Sequence, residues 1–364
     1  MSASIDPQTA APRHPQYSQY SQYSVSICVP VYKGSRILKK SIDSILKQGF
    51  PFHEILFGDD NPPELPGLPE LKEEIENTRR LIESYNDPRL KHFKNETNLG
   101  YAVNLQRLVA KATGDIIFLM AQDDVLSNDS LAKTHDAFLL DDDVGVVTRP
   151  YFWFMNHDIK TPVRVVTPPD ATRDLIFNSH ESEYLFNKVF ESVGQLSGLA
   201  YRRQFIEVPF HEECFPAHIY PFAGIFRKHK CVFLKDYTVA VGIEDSQTRS
   251  VSSIYDLSPT ESWVNMFKSV FKGVEYSRQR EWGISHIASN HIGLLQIKNF
   301  GNPGTLTREI KLLLKYRPKN FIDPKFYFFA MGCLVIPKRL LVPLIDRFKK
   351  TVSGPRHHEV HFNE

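Results

Sequence analysis

The sequence predicts an α/β fold: a mixed, mainly parallel sheet flanked by helices, followed by a helical C-terminal extension. Three observations carry that prediction. Short β-rich apolar runs alternate with amphipathic helical stretches from residue 25 to residue 120. Two of those runs end in adjacent acids, Asp59–Asp60 and Asp123–Asp124. The 364 residues, 42% hydrophobic and 24% charged, have the composition of a globular chain able to bury a sizeable core.

Taken in order, "MSASIDPQTAAPRHPQYSQYSQYS" (1–24) repeats QYS and lacks both a basic stretch and an apolar run of secretory-signal type, so a disordered tail is expected. "VSICVPV" (25–31) is a short apolar strand, and "SRILKKSIDSILKQ" (35–48) places Leu38, Ile42, Ile45 and Leu46 on one helical face. "EILFG" (54–58) is a second strand ending at Asp59, Asp60 and Asn61, after which "NPPELPGLPE" (61–70) is too rich in proline to continue a regular element. A polar helix over 71–85, a strand over "RLKHF" (89–93), a helix over 101–112 and the strand "DIIFLM" (115–120) follow. Further on, "KCVFL" (230–234) reads as a strand preceded by a helix. Beyond residue 255, Trp263, Phe267, Phe271 and Trp282 suggest helices packed on what precedes them. The expected division is therefore a tail (1–24), a sheet domain (25–255) and a helical, basic region (256–364).

In an open parallel sheet, ligands bind beyond the carboxyl ends of the strands, where charges that would be costly inside the sheet can reach a crevice. Either acid pair alone also reads as a solvated turn or a helix N-terminal charge. Two pairs at two strand ends favour a site.

The formal net charge of +2 gives no general reason to expect nucleic acid. Cys28, Cys214, Cys231 and Cys333 form no C-x-x-C pair, which argues against a zinc knuckle or a disulfide framework and fits a reducing, cytoplasmic setting. Charge is nevertheless segregated: residues 308–350 hold eleven Lys or Arg against three acids, a local +8 that leaves −6 for the rest of the chain. Within this region "FYFFAMGCLVI" (326–336) is apolar but shorter than the roughly 20 residues a spanning helix needs. It reads either as a segment lying in an anionic membrane interface or as part of a buried helix pair with a basic outer face.

The pieces "VSICVPVYKGSRILKKSIDSILKQ", "HEILFGDDN", "NETNLGYAVNLQRLVAKATGDIIFLMAQDD" and "GQLSGLAYRR", in that order within 25–235, resemble the family 2 nucleotide-sugar glycosyltransferases of GT-A fold. The resemblance implies that Pro30 and Tyr32 line a nucleoside pocket and that Asp60 hydrogen-bonds the base, with Asp59, Asn98 and Gln122 as further nucleotide-binding positions. The family's Asp-x-Asp corresponds to Ala121, Gln122 and Asp123, followed by Asp124. The first acid is missing, which puts the ribose contact in question, with Gln122 as a substitute donor. Asp123 and Asp124 would hold a divalent metal, Mn or Mg, against the donor pyrophosphate.

The family's base position falls near Ala217 and His218, so His218, with an ordinary imidazole pKa of about 6.5, is a candidate, and Glu212 and Glu213 are its rivals. Arg249 either clamps the donor diphosphate or is a solvated loop arginine. The implied activity is inverting transfer of a hexosyl or deoxyhexosyl group from a nucleoside-diphosphate donor to a hydroxyl acceptor. The acceptor would be a lipid-linked bacterial surface glycan (O-antigen, capsule or exopolysaccharide), met at the inner face of the plasma membrane. A non-catalytic nucleotide-sugar-binding or scaffold protein of the same fold is the alternative, and a metal-independent transferase is a third reading.

Overall fold

The computed structural model describes residues 22–61, 69–155, 157–211, 216–243, 258–337, 339–341 and 360–363. The expected tail lies outside the described residues as far as residue 21, and its end is anchored rather than loose. Arg202 stacks on the Tyr23 ring at 4.3 Å, and the Ser24 hydroxyl donates to Asp115 at 2.7 Å.

The first half of the chain builds β1 (Val25–Val31), β2 (Glu54–Asp59), β3 (Leu90–Lys94) and β4 (Ile116–Leu119), all parallel, joined by α1 (Leu38–Leu46), α2 (Pro69–Ser84) and α3 (Tyr101–Lys111). Every residue of β1, β2 and β4 except Pro30 is buried, so these strands are mostly apolar without alternation because helices cover both faces. α2 begins inside the proline-rich stretch, at Pro69. A proline in the first helical turn gives up only an amide hydrogen that has no partner in the helix anyway.

After β5 (Val125–Leu126) and α4 (Ser130–Leu139) come β6 (Val144–Thr148), β7 (Tyr151–Phe154), β8 (Arg164–Val166), β9 (Leu175–Phe177), α5 (Glu183–Ser192) and β10 (Ala200–Arg202). Then α6 (Ile219–Phe226) leads to β11 (Lys230–Phe233) and β12 (Val239–Gly242). The large sheet runs β3-β2-β1-β4-β10-β6-β11-β9, with β10 and β9 antiparallel to their neighbours, and a small sheet runs β5-β12-β7-β8. The mixed, mainly parallel sheet expected from the sequence is what forms.

Glu54 locks the lower end of the large sheet. Its buried carboxylate accepts from Ser26 Oγ (2.6 Å), Thr113 N (2.8 Å) and Lys91 Nζ (2.6 Å), tying β1, β3 and the entrance to β4. These partners outweigh its burial and hold its carboxyl down at about 2.

α7 (Pro259–Val270) and α8 (Ser277–Ala288) dock on α5 through aromatic rings. Phe190 meets Phe267 at 4.8 Å, and Phe186 meets Phe271 and Trp282 at 5.5 and 5.9 Å. α9 (Gly293–Phe300), α10 (Pro303–Tyr316) and α11 (Pro324–Val335) share a further core that includes Leu294, Leu313, Phe326 and Cys333. α11 is apolar on both sides: Phe326, Ala330 and Cys333 face inward, while Tyr327, Phe328, Met331, Leu334 and Val335 are exposed. Among the described residues no helix is long and apolar enough to cross a membrane.

Candidate functional site

The carboxyl ends of β1, β2 and β4 lie side by side, and side chains stitch them together. The Asp60 amide donates to Val31 O, and Asn61 Oδ1 accepts from Lys33 N at 2.9 Å. The Gln122 amide clamps the backbone of Tyr32 from both sides, accepting from its N–H at 3.0 Å and donating to its carbonyl at 2.9 Å. A side chain at Gly34 would displace that amide, so glycine there lets the clamp close. Gln122 thus uses its oxygen and one of its two amide hydrogens to hold the backbone of Tyr32.

The two acids at the end of β2 are also committed internally. Asp59 accepts from the Asn61 side chain at 2.8 Å and pairs with His92 Nε2 at 3.0 Å. Asp60 receives Asn95 Nδ2 (2.9 Å), Leu99 N (2.8 Å) and Gly100 N (2.8 Å), and the exposed Asn98 side chain donates to its carbonyl. Burial raises the Asp60 carboxyl above the ordinary carboxylate range against these hydrogen bonds. Asp60 therefore latches the 95–100 loop, and with it the start of α3, onto the strand end. Pro30 and Tyr32 are partly buried beside it.

Asp123 and Asp124 are adjacent but face different surroundings. Asp124 is 1% exposed. Its Oδ2 accepts from Ser197 Oγ (2.6 Å) and Gln195 Nε2 (2.7 Å), and its Oδ1 accepts from Gly242 N (3.0 Å). Nearby, the fully buried Arg149 donates to the carbonyls of Ser192, Gln195 and Ser197. Burial pushes the Asp124 carboxyl up while its hydrogen bonds and the Arg149 charge pull it back, and burial pushes the Arg149 guanidinium down to about 10, where it stays charged at neutral pH. Gly198, at φ +81° and packed against Arg149, turns the chain where a side chain would not fit. Asp124 thus organises the protein rather than facing a metal, a correction to the expected pair of ligands.

Asp123 instead lines a cleft with Arg36, Ile37, Lys40, Phe154, His157, Gly242 and Ile243. A carboxylate, two cations and an imidazole converge on this cleft at the carboxyl end of β4. Arg36, Lys40 and His157 carry no mark along the chain, because they come from the loop before α1, from α1 itself and from the turn after β7.

His218 is 2% exposed at the start of α6. Tyr101 Oη donates to its Nδ1 at 2.6 Å, and its Nε2 donates to Val193 O at 2.8 Å. Burial drives the ring down to about 3. Both nitrogens are occupied and the ring is sealed from solvent, so it has no lone pair for an acceptor hydroxyl, and its candidacy as base is corrected. Glu212 and Glu213 lie outside the described residues, as do Arg249 and Cys214.

Residues 26–206 match the family described as Glycosyl transferase family 2. An uncharacterized glycosyltransferase of Haemophilus influenzae is 32% identical over 109 residues, covering 30% of this chain; the chain spans 40% of that protein's length. Among solved structures, S. aureus TarS 1–349 in complex with UDP-GlcNAc aligns at 14% identity over 89% of this chain and 92% of that one, with a TM-score of 0.58. The same protein without a named ligand aligns at 14% identity over 89% of this chain and 91% of that one, with a TM-score of 0.56. The shared architecture is the GT-A fold.

Two outcomes follow from this geometry. Asp124→Asn should lose about 3 kcal/mol, because its new amide would turn hydrogens on a donor on one side, Gly242 N or the Ser197–Gln195 pair, and strip Arg149 of its counter-charge, and the half-buried Asp123 should lose less as Asn. Urea unfolding of both variants decides, and equal losses would contradict the division of roles. The second outcome concerns pH. As pH falls below about 6.5 the unfolded chain protonates His218, while the folded ring stays neutral to about 3. Stability is therefore lost across that window by up to about 1.4 kcal/mol per pH unit for this one proton. His218→Gln should flatten the slope of unfolding free energy against pH by about one proton, and an unchanged slope would refute the assignment.

Proposed function

Since residues 26–206 place this chain in glycosyl transferase family 2, we propose that it is an inverting transferase carrying a hexosyl or deoxyhexosyl group from a nucleoside-diphosphate donor to a hydroxyl acceptor. The observation that carries the reading is the cleft at the end of β4, where Asp123 stands among Arg36 and Lys40. An anionic donor diphosphate suits the two cations. The nucleoside would lie along the ends of β1 and β2, against Pro30 and Tyr32, with Asp59, Asp60 and Asn98 shaping that wall from behind.

Among the described residues no three His, Cys, Asp or Glu side chains gather at one place, so the cleft offers a metal the single carboxylate of Asp123. That donor set fits a hard cation completed by phosphate oxygens and water. Asp123 would hold Mn or Mg, which supplies Lewis-acid neutralisation of the departing diphosphate. Arg36 and Lys40 add fixed positive charge to the same leaving group.

In the transfer, the acceptor oxygen bonds to the anomeric carbon as the bond from that carbon to the diphosphate breaks. The acceptor proton passes to a base, for which Glu213 is our candidate, and the bonding pair leaves with the diphosphate.

For the acceptor we propose a lipid-linked surface glycan such as an O-antigen, capsule or exopolysaccharide precursor, met at the inner face of the plasma membrane. Support comes from α11, whose exposed Phe328 (71%), Met331 (53%) and Val335 (69%) form an apolar strip beside the exposed Lys325 and Arg339. An apolar helix face edged by cations suits an anionic lipid interface.

The donor reading is tested by thermal shift with UDP, GDP, TDP and CDP, with and without manganese, followed by release of nucleoside diphosphate from the matching sugar donor. UDP heads the series because TarS of the same fold holds UDP-GlcNAc. One nucleotide should stabilise the protein in a metal-dependent way, and Asp123→Asn should abolish the shift and lower turnover by about 100-fold or more. Binding without turnover would favour a scaffold, and turnover that survives chelation would favour a metal-independent transferase held by Arg36 and Lys40. The membrane reading predicts co-sedimentation with phosphatidylglycerol vesicles but not with phosphatidylcholine vesicles, reduced in Phe328→Ser/Met331→Ser. Failure to sediment with either would remove it.

A further inference from the structure

A second pocket, of about 210 Å³, lies between α3 and the edge strand β3, on the flank of the large sheet. At about 30 Å³ per water it has room for roughly seven waters, enough for a phosphate or diphosphate group with part of its hydration. Its ionisable lining is basic throughout: Lys94, Arg107 and Lys111 stand around it, and His92 forms part of its wall. No carboxylate lines it.

The cations are also unbalanced locally. Arg107 and Lys111 are one turn apart on α3, an arrangement in which like charges repel. Among the described residues neither they nor Lys94 form an ion pair, although acids elsewhere on the surface routinely meet their partners, as in Arg79 with Glu76 and Glu83. Lys111 instead lies over the Phe93 ring at 4.7 Å, inside the pocket's own lining. His92 is held through Nε2 by Asp59 at 3.0 Å, which fixes the orientation of its ring.

The polar floor is made by Asn95 and Asn104, which bond each other at 3.0 Å. Asn95 Nδ2 also donates to Asp60, the residue that holds the 95–100 loop. Asn95 thus links the pocket to the strand end that carries Asp60, although the pocket and the donor cleft are lined by different residues.

We propose that this pocket binds a phosphate group, as an anion site separate from the donor cleft. The planar guanidinium of Arg107 and the two ammonium groups suit tetrahedral phosphate oxygens. The phosphate would belong either to a soluble phosphorylated compound or to the headgroup of a lipid, and the two sources are separable by experiment.

Inorganic phosphate and pyrophosphate are titrated calorimetrically into the full chain in the presence of a chelator, which removes any metal contribution at Asp123. Wild type and Arg36→Glu/Lys40→Glu should bind alike, and Arg107→Glu/Lys111→Glu should bind at least about tenfold more weakly. Circular dichroism checks that the double variant is folded, as two exposed helix positions should allow. Phosphatidylglycerol vesicles form the second arm. If the charge reversal lowers vesicle binding as well, the phosphate is a headgroup's; if it lowers pyrophosphate binding alone, the ligand is soluble. Absence of binding up to about 10 mM, or equal affinity in the folded double variant, overturns the proposal. Loss in Arg36→Glu/Lys40→Glu alone also overturns it, by returning the anion to the donor cleft.

Discussion

The buried carboxylate of Asp124 is the contact on which the arrangement of the cleft depends. With Ser197, Gln195 and the Gly242 amide around it, it joins the turn after β4, the loop before β10 and the end of β12. These segments are far apart in sequence, and neither sheet alone would bring them together. A carboxylate this deep persists because its lone pairs are filled and a charged arginine stands nearby. Asp123, the residue before it, is thereby carried to the surface of the cleft, where its charge can meet a ligand.

The same logic recurs along the neighbouring strand ends. Asp60 and Gln122 look like ligand-binding groups by residue type, yet their polar atoms close loops of the protein itself. Each satisfies backbone groups that would otherwise be buried without partners where the strands stop. The result is a rigid rim that frames the cleft while leaving few side chains free to line it. Rigidity of this kind favours transfer chemistry, because donor and acceptor must meet in one orientation.

The C-terminal helices divide into two layers with different surroundings. α7 and α8 complete the core beside α5 through stacked aromatic rings. α9, α10 and α11 carry a smaller core of their own and leave one apolar side of α11 uncovered. One side of this helix is the buried face expected from the sequence, and the other is the exposed apolar face for which lipid contact is proposed. Phe326 and Cys333 face the core, and Phe328 and Met331 face outward.

The sequence by itself determined the alternation of strands and helices over the first 120 residues, the parallel sheet that follows from it and the placing of both acid pairs at strand ends. These are local properties, carried by apolar runs and helical spacing, and they survive without knowledge of distant contacts. Tertiary structure decided which acid of a pair faces the cleft, because successive side chains at a strand end point in different directions and only the packing of β12 and the 195–198 loop selects between them. It also decided the fate of His218, which chain position placed near a catalytic slot but which Tyr101 and Val193 enclose. Arg36, Lys40 and His157 reach the cleft from three separate segments, and no pattern along the chain marks a convergence that exists only in three dimensions.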